Sequence, residues 1–153
     1  MRPWVIGALT LGADQFTKHL LTRRFAPGES LPVIPPLLSL SYVQNTGAAF
    51  GLFRGQQVLF IGISLLVIAW MVRELLAKPS PAMASAVMWG CALVLGGASG
   101  NLIDRLRFGY VVDFIDLHVW PVFNVGDSAI TIGVTLLILH SLMAGREEAT
   151  RER

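Results

Sequence analysis

The stretch Ala82–Ile103, AMASAVMWGCALVLGGASGNLI, holds no charged residue. A helix needs about 20 predominantly apolar residues to cross a hydrocarbon core about 30 Å thick, and this run has that length. A helix buried in a soluble core would show a polar face at a 3.6-residue period, and none is present here. Three comparable runs lie on either side: Trp4–Leu21, interrupted by Asp14, Gln15 and Lys18; Val58–Leu76, with Arg73 near its end; and Ser128–Ala144. The pattern predicts an all-α integral membrane protein, a single membrane-embedded domain over residues 1–153 with four transmembrane helices.

The composition agrees. Hydrophobic residues make up 54% of the chain and charged residues 14%, against about 25% charged in an average soluble domain. Part of the surface must therefore face something apolar. The net charge of +2 comes with no basic stripe and no aromatic–basic interleaving, so no nucleic-acid partner is expected. Cys91 is the only cysteine, which excludes an intramolecular disulfide and reads as a small packed hydrophobe. His19, His118 and His140 are far apart, with no HExxH and no Cys/His cluster, so no metal is expected. There is no P-loop and no G-x-S-x-G elbow, and no cofactor is expected. The first apolar run follows Arg2 as a secretory signal would. It ends in Asp-Gln-Phe-Thr-Lys and not in a small-x-small cleavage site, so it reads as a retained helix.

The connections carry the polar residues. Arg23–Gln57 is long and contains a strand-like stretch, Leu37–Val43. Asp104–Asp127 is also long, and Tyr110–Leu117 within it is strand-like. Gly145 onward is expected to be a frayed, charged tail. Four spans put both termini on one side and both long connections on the other. The Lys/Arg bias between the two sides is slight: Arg2, Arg73, Lys78, Arg146, Arg151 and Arg153 against Arg23, Arg24, Arg54, Arg105 and Arg107. It favours cytoplasmic termini by a small margin.

That topology brings Asp14, Asn45, Asn101, Arg105, Asp113, Asn124 and Asp127 to one side of the membrane. Ionisable groups at membrane depth are expensive and usually mark function. Asp113 and Asp127 are the candidate catalytic pair. Two carboxyls sharing a site cannot both ionise cheaply, so one serves as base and the other as acid. Asp127 also reads as part of a helix N-terminus, with Asn124 as N-cap and Asp127 at the third helical position. Asn101 and Arg105 are four apart on one helical face, although Asp104 and Arg105 could equally form an interfacial pair. Asp14 and Lys18 have the spacing of a local ion pair. Gly96-x-x-x-Gly100 allows close helix approach. A small transporter or channel subunit would use the same polar residues to bind an ion, but the cluster lies toward one face and no inverted repeat is apparent. A purely structural subunit would leave the converging carboxyls without a purpose.

Five motifs taken together resemble the bacterial lipoprotein signal peptidases, the signal peptidase II family. They are Asp14–Lys18 (DQFTK), Asn45–Phe50 (NTGAAF), Gly96–Arg105 (GGASGNLIDR), Val112–Asp116 (VDFID) and Phe123–Ser128 (FNVGDS). The resemblance implies an aspartyl endopeptidase with Asp113 and Asp127 as its catalytic carboxyls. It implies Asp14, Asn45, Gly97, Asn101, Arg105 and Asn124 as residues that line or support the site. It implies a diacylglyceryl-modified prolipoprotein as substrate, cut before the lipidated cysteine, in contact with membrane lipid. It further implies a small extracytoplasmic β-structured cradle holding Asn45, cytoplasmic termini, a site near the outer face of the bacterial inner membrane, and a monomer. One departure is visible: Gly126 stands where the family pattern has alanine.

Overall fold

The computed structural model describes residues 3–47, 53, 55–77 and 85–151. Ala48–Phe50 of the second motif, the link at 78–81, residues 82–84 of the third apolar run, and Arg2, Arg54, Lys78 and Arg153 of the charge count lie outside the described residues. The chain runs α1 (Pro3–Arg24), β1 (Ser30–Ile34), β2 (Leu38–Asn45), α2 (Gln57–Leu76), α3 (Ser85–Phe108), β3 (Val111–Asp116) and α4 (Val125–Arg151).

Among the described residues, three helices are long and apolar enough to cross a membrane: α2, α3, and α4 over Val125–Met143. Helix α1, expected as a fourth span, is less apolar because Asp14, Gln15, Lys18 and His19 interrupt it. Helix α4 continues to Arg151, so the expected frayed tail is helical backbone instead. Glu147 and Glu148 with Arg151 are good helix formers, and they extend a helix already nucleated by the apolar run.

Helix α3 is the spine. It is 56% buried over its apolar window, against 11% for α2 and 17% for α4. Its glycines explain how it accommodates neighbours on two flanks. A Cβ on Gly96 would stand 2.6 Å from the Gly7 carbonyl oxygen of α1, and one on Gly90 would stand 2.9 Å from the Gly133 carbonyl oxygen of α4. At Gly97 the obstacle is the Gly126 carbonyl, and at Gly100 it is the Asp14 carboxylate. The Gly96-x-x-x-Gly100 spacing thus does what small residues do between membrane helices, letting backbones touch. Cys91, 2% exposed, packs with Met71 and Val94 where α2 meets α3. That is the role expected of it.

Replacing Gly97 with valine is expected to cost about 1–3 kcal/mol, the usual cost of overpacking, because the obstructing atoms are backbone. Gly62→Ala in α2 meets nothing within 4 Å and should stabilise by about 0.5–1 kcal/mol through helix propensity. Thermal unfolding of both variants in one detergent checks the pair. Equal midpoints would show that the seam between α3 and α4 is slack.

The three strands form one antiparallel sheet in the order β1-β2-β3. Both strand-like stretches of the sequence appear in it. β1 was not anticipated, since Pro32 and the flanking prolines read as loop. It is an edge strand, where proline is tolerated, and every one of its residues is exposed. Leu21 of α1 packs with Tyr42, Val112 and Phe114 beneath the sheet, fixing it above the helix ends. The register sets Val43 opposite Asp113. Because side chains alternate along a strand, Asn45 falls on the same face as Asp113, one diagonal step away.

Candidate active site

Asp113 comes from β3 and Asp127 from the first turn of α4. Both line a cavity of about 270 Å³ together with Asn45, Arg105, Trp120 and Thr131. Asp113 is 1% exposed; Asp127 is half-buried.

Three asparagines bind the carboxyls. Asn45 Nδ2 donates to Asp113 Oδ2 at 2.8 Å. Asn124 Nδ2 donates to Asp113 Oδ1 at 2.7 Å. Asn101 Nδ2 donates to Asp127 Oδ1 at 2.7 Å. Each amide is held in that orientation by a donor on its own oxygen: Gly47 N–H on Asn45 at 2.9 Å, Asp127 N–H on Asn124 at 2.8 Å, and Lys18 Nζ on Asn101 at 2.9 Å. An amide whose oxygen is engaged by a donor has only its NH2 left to present. Asn124 therefore joins the pair directly, touching Asp113 with its side chain while capping the helix that carries Asp127.

The expected cap is present. Asn124 N–H donates to Asp127 Oδ2 at 3.2 Å, and Asp127 N–H returns to Asn124 Oδ1. This is a reciprocal capping arrangement. The cap occupies only one Asp127 oxygen; the other, Oδ1, takes the Asn101 amide.

Burial pushes the Asp113 carboxyl up to about 7, with the nearby Asp127 charge adding to it; the Asn45 and Asn124 amides and the Lys18 charge pull the other way. A carboxyl that changes protonation near neutrality suits proton transfer.

Asp14, Gly97, Asn101 and Asn124 are not on the wall of this cavity; the two asparagines reach it only through the carboxyls they bind. Asp14, 0% exposed, accepts the Gly126 N–H at 2.8 Å and pairs with Lys18 at 2.9 Å, so it holds the start of α4. Gly97 makes room for the Gly126 backbone. Arg105 lines the cavity with its guanidinium 5.0 Å from the Phe60 ring centroid. Among the described residues it makes no ion pair, so the alternative pairing with Asp104 is not found.

Asp104 turns away because successive residues on a helix diverge by about 100°. It meets Lys18 at 2.9 Å and accepts the Val112 N–H at 3.1 Å. The resulting buried triad, Asp14–Lys18–Asp104, was only half visible in the sequence. The i,i+4 spacing of Asp14 and Lys18 signalled the first pair. The link to Asp104 crosses from α1 to α3, and no local spacing reports it.

The pattern of the family described as signal peptidase (SPase) II matches residues 6–143. The chain belongs to the signal peptidase II family. Relatives include the lipoprotein signal peptidases of Moorella thermoacetica, 45% identical with 94% of this chain and 95% of that protein covered, and of Halothermothrix orenii, 42% identical with 90% and 92% covered. The fold is similar to a bacterial membrane enzyme solved by the in meso method at 2.3 Å resolution, with TM-score 0.86 and 32% identity over 92% of this chain and 87% of that one. A second bacterial membrane enzyme, at 1.9 Å, gives TM-score 0.81 and 33% identity over 92% of each chain.

Membership in the signal peptidase II family makes the protein a membrane endopeptidase of aspartyl type. Its departure at Gly126 has a local explanation. A Cβ there would stand 3.0 Å from Asp14 Oδ1 and 3.1 Å from both Asn124 Oδ1 and the Gly97 carbonyl oxygen. Glycine lets these three oxygens close around the helix start; alanine would require each to give by a few tenths of an ångström.

Proposed function

We propose that the protein removes the signal peptide from diacylglyceryl-modified prolipoproteins by cleaving before the lipidated cysteine, with Asp113 and Asp127 as its catalytic dyad. The observation that carries the reading is that two carboxyls from different elements open on one cavity and that Asn124 binds both, its side-chain amide donating to Asp113 and its backbone N–H to Asp127.

The chemistry needs only water and one shared proton. The ionised carboxyl takes a proton from a cavity water as the water oxygen bonds to the scissile carbonyl carbon. The protonated carboxyl gives its proton to the carbonyl oxygen. As the gem-diol collapses and the C–N bond breaks, the first carboxyl passes its proton to the leaving nitrogen. The hydroxyl proton then returns to the second carboxyl, which restores the starting state.

Helix α1 is the fourth span in this reading. Its two mid-helix charges are buried, at 0% for Asp14 and 3% for Lys18, so neither faces lipid. Both termini are cytoplasmic and the cavity opens near the outer face of the bacterial inner membrane. There an incoming membrane helix must unwind and find polar partners for its backbone. Arg105 and Asn45, both on the cavity wall, supply donors at that depth, and the protein works as a monomer in lipid.

The test is cleavage by the purified protein in detergent of a lipidated prolipoprotein and of the same chain with its cysteine changed to alanine. The expected product begins at the lipidated cysteine, and the unlipidated chain stays intact. Cleavage at another bond, or equal cleavage of both chains, would overturn the substrate assignment.

The pH profile offers a second check. The Asn45 amide stabilises ionised Asp113, so Asn45→Ala removes a bond to the charged form and raises the carboxyl further above its value of about 7. A hydrogen bond to a charged group contributes about 1.5–3 kcal/mol, and each pH unit corresponds to about 1.4 kcal/mol. The alkaline limb of kcat/KM should move up by about one unit. A shift downward would show that the amide holds the proton-bearing form.

A further inference from the structure

Lys18 is not part of the cavity wall, yet every donor it owns is committed beside the dyad. Its ammonium has three N–H bonds to give. They reach Asp14 Oδ2, Asp104 Oδ2 and Asn101 Oδ1, each at 2.9 Å, and the residue is 3% exposed. We propose that Lys18 is a positioning residue which, through Asn101, keeps Asp127 as the ionised base and so leaves the shared proton on Asp113. The inference rests on the dyad reading above and assigns its two roles.

The argument is one of hydrogen-bond polarity. Rotating the Asn101 amide by 180° would set its NH2 against the Lys18 ammonium, donor against donor. The charge on Lys18 therefore forbids the flip and fixes Nδ2 on Asp127 Oδ1 at 2.7 Å. The other Asp127 oxygen takes the Asn124 backbone N–H at the positive end of α4, a place that favours a carboxylate. Asp127 is thus served by an amide polarised by a cation and by a helix N-terminus. Asp113 is served by two amides, and that of Asn124 is shared, its Nδ2 also lying 3.2 Å from Asn101 Oδ1 and 3.3 Å from the Val112 carbonyl oxygen. Asp113 is also the more deeply buried of the two.

The charged groups around Asp127 are Asp14 and Lys18 from α1, Asp104 and Arg105 from α3, and Asp113 from β3. From α2, Phe60 lies against the Arg105 guanidinium. Four acids face two bases, so retaining one proton on the dyad reduces an unbalanced negative charge.

Two variants of the full-length protein should shift the acid limb of the kcat profile in opposite directions. Lys18→Met removes the cation and frees Asn101 to rotate; the acid limb should rise by about one pH unit, with kcat down about tenfold or more and KM little changed. Asp104→Asn leaves Lys18 less neutralised and can keep the Val112 and Lys18 contacts on its one oxygen; the acid limb should fall by about half a unit. If Lys18→Met does not fold, Asp104→Asn decides alone. A folded variant whose acid limb stays at the wild-type position, or moves against its predicted sign, reduces Lys18 to a packing element. These outcomes are separate from failure of the dyad itself, which would appear as cleavage surviving in Asp113→Asn or Asp127→Asn while the wild type is active.

Discussion

Asp113→Asn and Asp127→Asn each lower kcat for cleavage of a diacylglyceryl-modified prolipoprotein by at least about a thousandfold, in line with the contribution of general acid–base catalysis, while the protein remains folded. The substitutions keep shape and remove only the proton chemistry. At position 113 the asparagine NH2 would face one of two amide donors, from Asn45 or Asn124, and one bond is lost. That loss is offset because burial holds the Asp113 carboxyl at about 7, far above a free carboxyl near 3.9. A carboxyl raised in this way weakens the fold as pH climbs from the free value through 7, and asparagine removes that penalty. Asp113→Asn should therefore melt at or above the wild-type temperature at pH 8, and show less of this advantage at pH 5. Purified wild type and both variants, assayed in the same detergent, provide the check. Turnover of either variant within about tenfold of wild type would remove that residue from the dyad.

The second large effect is on stability. Asp14→Ala should cost about 3–5 kcal/mol, the usual penalty for removing one partner of a buried ion pair. It strands the Gly126 N–H at the start of α4 and leaves one Lys18 donor without an acceptor. Asp14→Asn should cost less, about 1–3 kcal/mol. Its oxygen can still accept from Gly126, but its NH2 then stands where Oδ2 meets the Lys18 ammonium, and Lys18 must give way. Unfolding of both variants in one detergent separates the two contributions. If Asn and Ala are equally damaging, the charge of Asp14 is what holds α1 to α3, and the contact to Gly126 is secondary.

The membrane helices were legible because apolar length is a one-dimensional property. Val58–Leu76 and α2 agree to within one residue. The sheet was partly legible. β2 alternates apolar and polar residues over Leu38–Tyr42 and β3 is rich in Val, Phe and Ile, whereas β1 is an exposed proline-bearing edge whose pairing with β2 comes from tertiary contact. The polar convergence followed from counting which side of each span a residue falls on. What sequence could not supply were the links between elements. Asp104 was read beside its neighbour Arg105, yet the helix turns one toward Lys18 and the other toward the cavity. Gly97 carried the family pattern but no reason for it; the reason is the backbone of Gly126 pressed against it.

The capping arrangement at Asn124 and Asp127 has a consequence for the catalytic cycle. When Asp127 takes the proton from water in the proposed mechanism, its Oδ2 becomes a poorer acceptor for the Asn124 N–H, and the first turn of α4 loses part of its cap, a contribution of about 1 kcal/mol. The loss is temporary. It is recovered when the proton leaves for the amine, so the folded helix end favours discharge of the protonated base. Half of each turnover is thereby opposed, and the other half assisted, by the same hydrogen bond that starts the helix.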